Sequence, residues 1–414
     1  LYIAVSIIGI IISYIFLNGN TYEDIPQTTR KGKVKNMTEG LLEGIRVLDF
    51  TGFLAGPYCG MFLADMGADV IKVENLLTKG EFCRYARPLE EKTGRSMYFG
   101  NLNRNKRGFA VNLKSEDGKK VFAELVKSAD VLLENMRPGV IKKLGFGYEE
   151  CKALNPRIIF ASISGFGQYG PYSSRPGYDL IAQAMGGSMS ITGWPGSEPT
   201  RAGMAIGDMM AGMNCCMGIL ASLIKRQKTG VGQKIDVALV DSIVSGLEAK
   251  CMQYLYTGKV PEKTGNKYIS SAPYDSFKAK DAYFVLASGT DKHFEHLSAA
   301  MGMPELAQNP LYENTELRKK NADSLKKIIE DWASDKTSRE VVDIILGAGV
   351  PAGPIYDIAD VCNDKNIVEA RDMLVKVPDK KAGEFTVLGN PIKMDTYPCT
   401  YRKSAPDLGE DDVD

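Results

Sequence analysis

Histidine is nearly absent, with two among 414 residues, His293 and His296. Nucleophile–base pairs of the Ser-His or Cys-His kind therefore have almost nothing to draw on. The H-x-x-H spacing lacks the further ligands of a metal site, so no metal is expected and His296 reads as a solvated or half-buried side chain. The eight cysteines form no C-x-x-C pair, and Cys215 and Cys216 are adjacent. Neither a zinc ribbon nor a disulfide framework is indicated, and buried thiols in a reducing cytoplasm are the expectation. No Walker A sequence occurs, and no G-x-G-x-x-G is followed, about twenty residues on, by the acid that would hold a nicotinamide ribose. Charge of neither sign is in excess, with 51 basic and 51 acidic residues. Nothing is left over to neutralise a nucleic-acid backbone, so no nucleic-acid partner is expected.

What is there fits a folded globular chain, 44% hydrophobic and 25% charged, of a length suited to two or three compact units. Leu1 to Leu17 is an uncharged run of 17 residues, followed by a polar stretch and then Arg30, Lys31, Lys33 and Lys35. Taken literally it is a membrane anchor at the short end of what spans a bilayer. A signal peptide would need basic residues before the run and a small-residue cleavage site after it, and neither is present. Met37 is the first methionine, and the codons of Arg30-Lys31-Gly32-Lys33 can be purine-rich, as a ribosome-binding site is. Residues 1–36 are therefore expected to be upstream translation outside the fold, with a real anchor as the alternative. From Met37 the chain carries 47 basic and 49 acidic residues.

From Gly44 strand-like and helix-like patterns alternate. Residues 45–50 and 70–74 read as strands around a helix at 58–66, a βαβ unit. Strands at 109–112, 131–134 and 158–164 follow, with Ser115 capping a helix that runs to about Lys127. The fold class is α/β, a large Rossmann-like domain with a parallel sheet whose ligands lie beyond the strands' carboxyl ends. Those ends lead into Thr51–Pro57, Asn135–Gly139 and Gly165–Pro171. Long apolar helices are expected over 204–225 and 237–255. Residues 258–340 change character, with a short strand at 283–287 and charged helices near 291–301 and 323–333, and read as a smaller α+β domain. Residues 341–414 are expected to return to the large domain, which begins at residue 37 and runs to 257.

With histidine excluded, carboxylates become the leading candidates for chemistry. Asp208 follows Gly207, opens an apolar helix and has no basic residue within six positions on either side. It reads either as an ordinary N-cap or as an ionised, sterically open nucleophile, favoured as an anion by the helix N-terminus. Asp179, after Arg175-Pro-Gly-Tyr178, reads as a turn former or a site residue.

Leu42–Phe50, Gly67–Glu74, Asn103–Arg107, Ser164–Gln168, Tyr178-Asp179 with Gln183–Gly187, and Gly207-Asp208 together resemble the class III CoA-transferases, over about residues 41–397. The family includes formyl-CoA, carnitine, bile-acid and 2-hydroxyacid CoA-transferases. The resemblance implies an acyl-CoA:carboxylate CoA-transferase and an interlocked homodimer. Its substrates would be coenzyme A thioesters and carboxylic acids, with no permanently bound cofactor. Asp208 would be the catalytic nucleophile, forming an anhydride and then an aspartyl-CoA thioester. The implied CoA contacts are Leu54 and Ala55, Val111, Asn112, Leu113 and Lys114, Asn135, Met136 and Arg137, Lys143, and the loop Pro176 to Asp179 with Tyr178. Arg137 and Lys143 suit phosphates.

Three departures separate the chain from formyl-CoA transferase and point away from oxalate and formate. Leu54 stands where that enzyme has glutamine, Asn75 where it has arginine, and a run of glycines is missing near Gly265 to Ser271. The same fold includes 2-methylacyl-CoA racemases, which use a histidine where this chain has Tyr178. Racemisation then lacks its proton carrier and stands as the alternative activity, alongside a non-catalytic CoA-binding protein.

Overall fold

The computed structural model of the protein describes residues 40–412, and the expectations for residues 1–36 lie outside them. The chain enters through β1 (Arg46–Phe50), α1 (Ala55–Asp65), β2 (Asp69–Asn75), β3 (Arg107–Val111) and α2 (Glu116–Ser128). It continues through β4 (Val131–Glu134), β5 (Ile159–Ser164), α3 (Asp179–Met185), α4 (Ile206–Thr229), β6 (Lys234–Ala238), α5 (Leu239–Ser245) and α6 (Glu248–Thr257). The six strands form one parallel sheet in the order β3-β2-β1-β4-β5-β6. Alternate residues feed two cores, as in sheets covered on both faces. Val47, Leu133, Ala161 and Ile163 face α1 and α4, and Leu48, Leu132 and Phe160 face Phe122 and Val126 of α2. Ser115 does cap α2, its hydroxyl accepting from Gly118 N–H.

The apolar stretch 237–255 is not one helix. Residues 234–238 alternate Lys-Ile-Asp-Val-Ala and pair with β5, so that Ile235 and Val237 cover the α1/α4 core. A short apolar run at the head of a helical pattern hides a strand, because periodicity alone does not separate the two. Gly246 then ends α5 before α6 begins.

The smaller region contains β7 (Tyr274–Lys278), β8 (Tyr283–Ala287), α7 (Asp291–Ala300), α8 (Ala322–Ala333), α9 (Ser338–Gly347) and β9 (Ala352–Pro354). Phe277, Phe284, Phe294, Leu325 and Ile329 build its core, and Val341, Ile345 and Val350 complete it. Since β9 pairs antiparallel with β8, α9 and β9 belong with this core, and the chain leaves it after Pro354 rather than near 340. The hairpin β10 (Leu374–Asp379) and β11 (Gly383–Leu388) follows.

The segment beyond the hairpin returns to the sheet, and the Asn103–Arg107 run holds it there. Arg104 pairs with Asp65 at 3.0 and 2.7 Å. Asn105 donates to Asp65 and to Thr400 O and accepts from Arg402 N–H at 2.7 Å. Lys106 is buried on Asp49 of β1 at 2.7 Å. A buried pair that lost one partner would strand a charge, so this run fixes α1, β1 and the returning tail in one arrangement.

Candidate active site

In the order 3-2-1-4-5-6 the strand direction of travel reverses between β1 and β4, which opens a crevice beyond their carboxyl ends. A cleft of about 440 Å³ lies there, lined from the β1 loop, the β2 loop, the β4 loop, the Arg175–Tyr178 segment and Asp208. The two loops that flank the reversal are tied by one side chain. Asn135 accepts from Gly52 N–H and donates to Gly52 C=O, both at 2.8 Å.

Buried charge fixes the rest of the β1 loop. Lys72, fully buried in β2, donates to Thr51 C=O and pairs with Glu81 at 3.1 Å. Burial alone would lower the Lys72 pKa, but the Glu81, Asp49 and Glu74 carboxylates around it hold it above its usual value. Glu81 in turn accepts from Phe53 N–H at 2.9 Å. Leu54, the N-cap of α1, supplies no side-chain acceptor, so α1 presents its first turn to the cleft without a protein cap. Phe53 stacks on Phe82 and meets Tyr178 edge-on, giving the opening an aromatic rim.

Asp208 occupies the third position of α4, whose N-cap is Ala205, so it is not the helix cap. Among the described residues no hydrogen-bond donor reaches its carboxylate, which faces the cleft. The helix start is held from outside instead. Buried Asp179 accepts from Gly207 N–H at 2.8 Å and from Gln183 Nε2 at 2.7 Å, and Gln183 accepts from Ala202 N–H at 2.8 Å. A Cβ at position 207 would sit 3.1 Å from Asp179 Oδ1, tighter than ordinary packing, so glycine is what lets the carboxylate close on the backbone.

The helix N-terminus favours the Asp208 anion, and its surroundings oppose it. Burial, and then the Asp179 carboxylate, push Asp208 up to about 7. A carboxylate stripped of water and of hydrogen-bond donors is a stronger nucleophile than a solvated one.

Leu54, Ala55, Asn135, Met136, Arg137, Tyr178 and Asp208 all line the cleft. Asp179 stands behind it, holding α4. Val111 and Leu113 are buried in the α2-side core, and Asn112 accepts from Lys114 N–H in the turn that leads to α2. These four and the exposed Lys143 lie outside the cleft lining. Asn75, where formyl-CoA transferase has arginine, lines the cleft and caps the following turn through Leu77 N–H at 3.0 Å. Sequence reasoning did not single out Arg175, Glu81 or Thr51 to Phe53, which also line it. The sequence marks the strand-end loop that holds Thr51 to Phe53 as a whole, and such placement is the one signal that could have marked the others.

Residues 42–412 match the model of CoA-transferase family III. The chain is 39% identical over 374 residues to acetyl-CoA:oxalate CoA-transferase of Acetobacter aceti, covering 90% of this chain and 94% of that one. It is 40% identical over 365 residues to succinyl-CoA:mesaconate CoA-transferase of Haloarcula hispanica, covering 86% and 90% respectively. A solved CaiB/BaiF family protein from Brucella suis superposes with a TM-score of 0.81 at 36% identity, covering 91% of this chain and 98% of its own. The chain belongs to CoA-transferase family III and is a transferase that uses CoA thioesters.

Proposed function

We propose that the protein moves CoA between an acyl-CoA and a carboxylic acid with Asp208 as covalent nucleophile. The observation that carries this reading is an unpaired, half-buried carboxylate facing a cleft at the sheet's reversal point. An Asp208 oxygen attacks the thioester carbonyl, the C–S bond breaks, and CoA leaves as thiolate from a mixed anhydride. The thiolate attacks the aspartyl carbonyl, releasing the donor acid and leaving Asp208 as a CoA thioester. The acceptor carboxylate displaces CoA to form a second anhydride, and the thiolate takes its acyl group, restoring Asp208. Each step exchanges one activated acyl bond for another, and covalent catalysis so divides a difficult transfer into easier steps.

Arg137, on the β4 loop beside the reversal point, suits a CoA phosphate, and Asn135 and the α1 start suit the same end of the ligand. Val111 and Leu113 are buried in the core, so of the outer positions Lys114 and the exposed Lys143 are the ones this reading keeps for a CoA phosphate. Leu54 and Asn75 depart from formyl-CoA transferase, but a relative 39% identical to this chain is named for oxalate, so these two positions do not by themselves set oxalate aside. The named relatives act on oxalate and mesaconate, both dicarboxylates, so acids of that class belong in the first screen. A homodimer is part of this reading. It is supported by apolar side chains left exposed on α4 and α6, among them Met217, Ile224, Leu255 and Tyr256, the last 85% exposed.

The test is to quench the protein after brief exposure to acyl-CoA and read the peptide that contains Asp208 by mass spectrometry. A hydroxylamine-sensitive adduct on Asp208, absent from Asp208→Ala, is expected. Undiminished transfer by Asp208→Ala overturns the assignment.

A further inference from the structure

Arg175 is an exposed cation that lines the cleft and, among the described residues, has no carboxylate partner. The loop that carries it leaves β5 at Gly165 and comes back at Gly177, where the two backbones touch. A Cβ on Gly165 would lie 2.7 Å from Gly177 Cα, so both positions require glycine. Asp236 of β6 pins the loop through Gln168 N–H at 2.8 Å. Within it Arg175 N–H donates to Tyr172 C=O at 2.9 Å. The Arg175 guanidinium lies over the Tyr172 ring at 3.7 Å, and that ring meets Phe166 edge-on. Ring stacking orders the planar guanidinium while leaving its N–H edges open for an oxyanion.

Among the described residues neither Arg175 nor Arg137 has a carboxylate partner, although both line the cleft. Their positions separate their roles. Arg137 follows β4, at the crevice where doubly wound sheets hold phosphates. Arg175 lies on the other wall and four residues before Asp179, at most about 14 Å of extended chain. Asp179 in turn holds the amide next to Asp208. Arg175 and Asp208 line the same cleft, and this short stretch of chain links them through Asp179.

We propose that Arg175 binds the second carboxylate of a dicarboxylic acid and so sets the acceptor class of this transferase. The inference rests on the transferase reading above. Its chemistry is a bidentate, charge-assisted pair between guanidinium and carboxylate. A CoA phosphate offers the same kind of oxyanion, and the experiment distinguishes the two.

With acetyl-CoA as donor, which carries no second carboxylate, transfer is measured to succinate, glutarate and mesaconate and to acetate-sized monocarboxylates such as propionate and butyrate. CoA affinity is measured separately by calorimetry, and thermal melts confirm that the variants fold. Arg175→Gln is expected to raise KM for the dicarboxylates about 10- to 100-fold, the loss of hydrogen bonds to a charged group. CoA affinity and transfer to monocarboxylates stay within about twofold of the parent, a change worth less than 0.5 kcal/mol and thus below one such bond. Arg175→Lys, keeping charge but not the fork, falls between. An equal weakening of CoA binding identifies a phosphate contact and overturns the inference. So does an unchanged preference among acids, or a parent protein that accepts only monocarboxylates. A parent that transfers CoA to no acid refutes the transferase reading, and this inference with it.

Discussion

The carboxylate of Asp179 accepts the Gly207 amide at 2.8 Å, so the cap of the Asp208 helix comes from a different helix. One residue thereby orients the backbone at Asp208 and places a negative charge beside its side chain. Removing the acceptor and removing the charge are separable. Asp179→Ala loses both and is expected to destabilise the fold by about 1–2 kcal/mol, the scale of a lost cap. Asp179→Asn keeps an oxygen for Gly207 N–H and is expected to lose less. Because Asp179 raises the Asp208 pKa, both variants should move the acid limb of the kcat/KM profile to lower pH. Denaturant titrations and pH–rate profiles on the pair check this, and an unmoved acid limb would show that the two carboxylates do not interact.

Asp208 itself links activity and stability to pH in opposite senses. Its pKa, raised to about 7, means the folded state holds a proton that the unfolded chain has released between about pH 4 and 7. Stability from this group is therefore present below pH 4 and is lost as pH rises through 7, while the anion that the proposed mechanism requires appears over the same rise. Asp208→Asn should match the parent's stability near pH 4 and exceed it at pH 8 by roughly 2–4 kcal/mol, allowing for partial exposure. Transfer activity should fall by at least about 10³-fold, as for loss of a covalent nucleophile. Chemical denaturation at the two pH values is the measurement, and a variant no more stable than the parent at pH 8 would contradict the assigned shift.

Much of this fold was legible because its signals are local. Strand–turn–helix alternation and the Ser115 cap need only a few neighbouring residues, and both are found as read. Residues 234–238 were not legible as a strand, since Ile235 and Val237 gain their burial from β5, some seventy residues earlier in the chain. For the same reason α9 and β9 could not be assigned to the smaller core without knowing that β9 pairs with β8. At the site, Asp208 could be picked out by its glycine and its lack of basic neighbours. Its raised pKa could not, because both its burial and the nearness of Asp179 come from the packing of α3 on α4. The Asn103–Arg107 run was visible as a motif, yet its role in tying α1 to Thr400 and Arg402 needed the tail's return.

A second carboxylate titrates near neutrality beneath the cleft. Glu134, Ser162 and Asp236 sit side by side across β4, β5 and β6. Burial pushes Glu134 up to about 7, with Asp236 adding to the shift and the Ser162 hydroxyl and Met136 N–H opposing it. The row holds a cleft loop at each end, Glu134 through Met136 N–H and Asp236 through Gln168 N–H, both at 2.8 Å. Glu134→Gln keeps the acceptor and removes the charge. As with Asp208, the parent loses this group's contribution as pH rises from about 4.5 through 7. The variant should therefore be more stable at pH 8 by roughly 2–3 kcal/mol and little changed at pH 4.5. Retention of the acid limb in its pH–rate profile would assign that limb to Asp208.

Among the described residues Asn135 is the side chain that joins the two loops at the sheet's reversal point, through both polar groups of Gly52. Its carboxamide is matched to that task, since it offers one acceptor and one donor edge to a peptide unit that presents one of each. Asn135→Ala frees Gly52 and is expected to weaken CoA binding about tenfold, with a stability loss of about 1–3 kcal/mol from unpaired backbone groups. Asn135→Asp keeps an acceptor for the amide but sets an anion against the Gly52 carbonyl and towards a phosphate-bearing ligand. It should bind CoA more weakly than Asn135→Ala even though it preserves one more hydrogen bond. Calorimetry on the three proteins decides the point. If the aspartate variant binds CoA as tightly as the parent, the phosphates do not approach this junction, and the CoA end assigned to it is wrong.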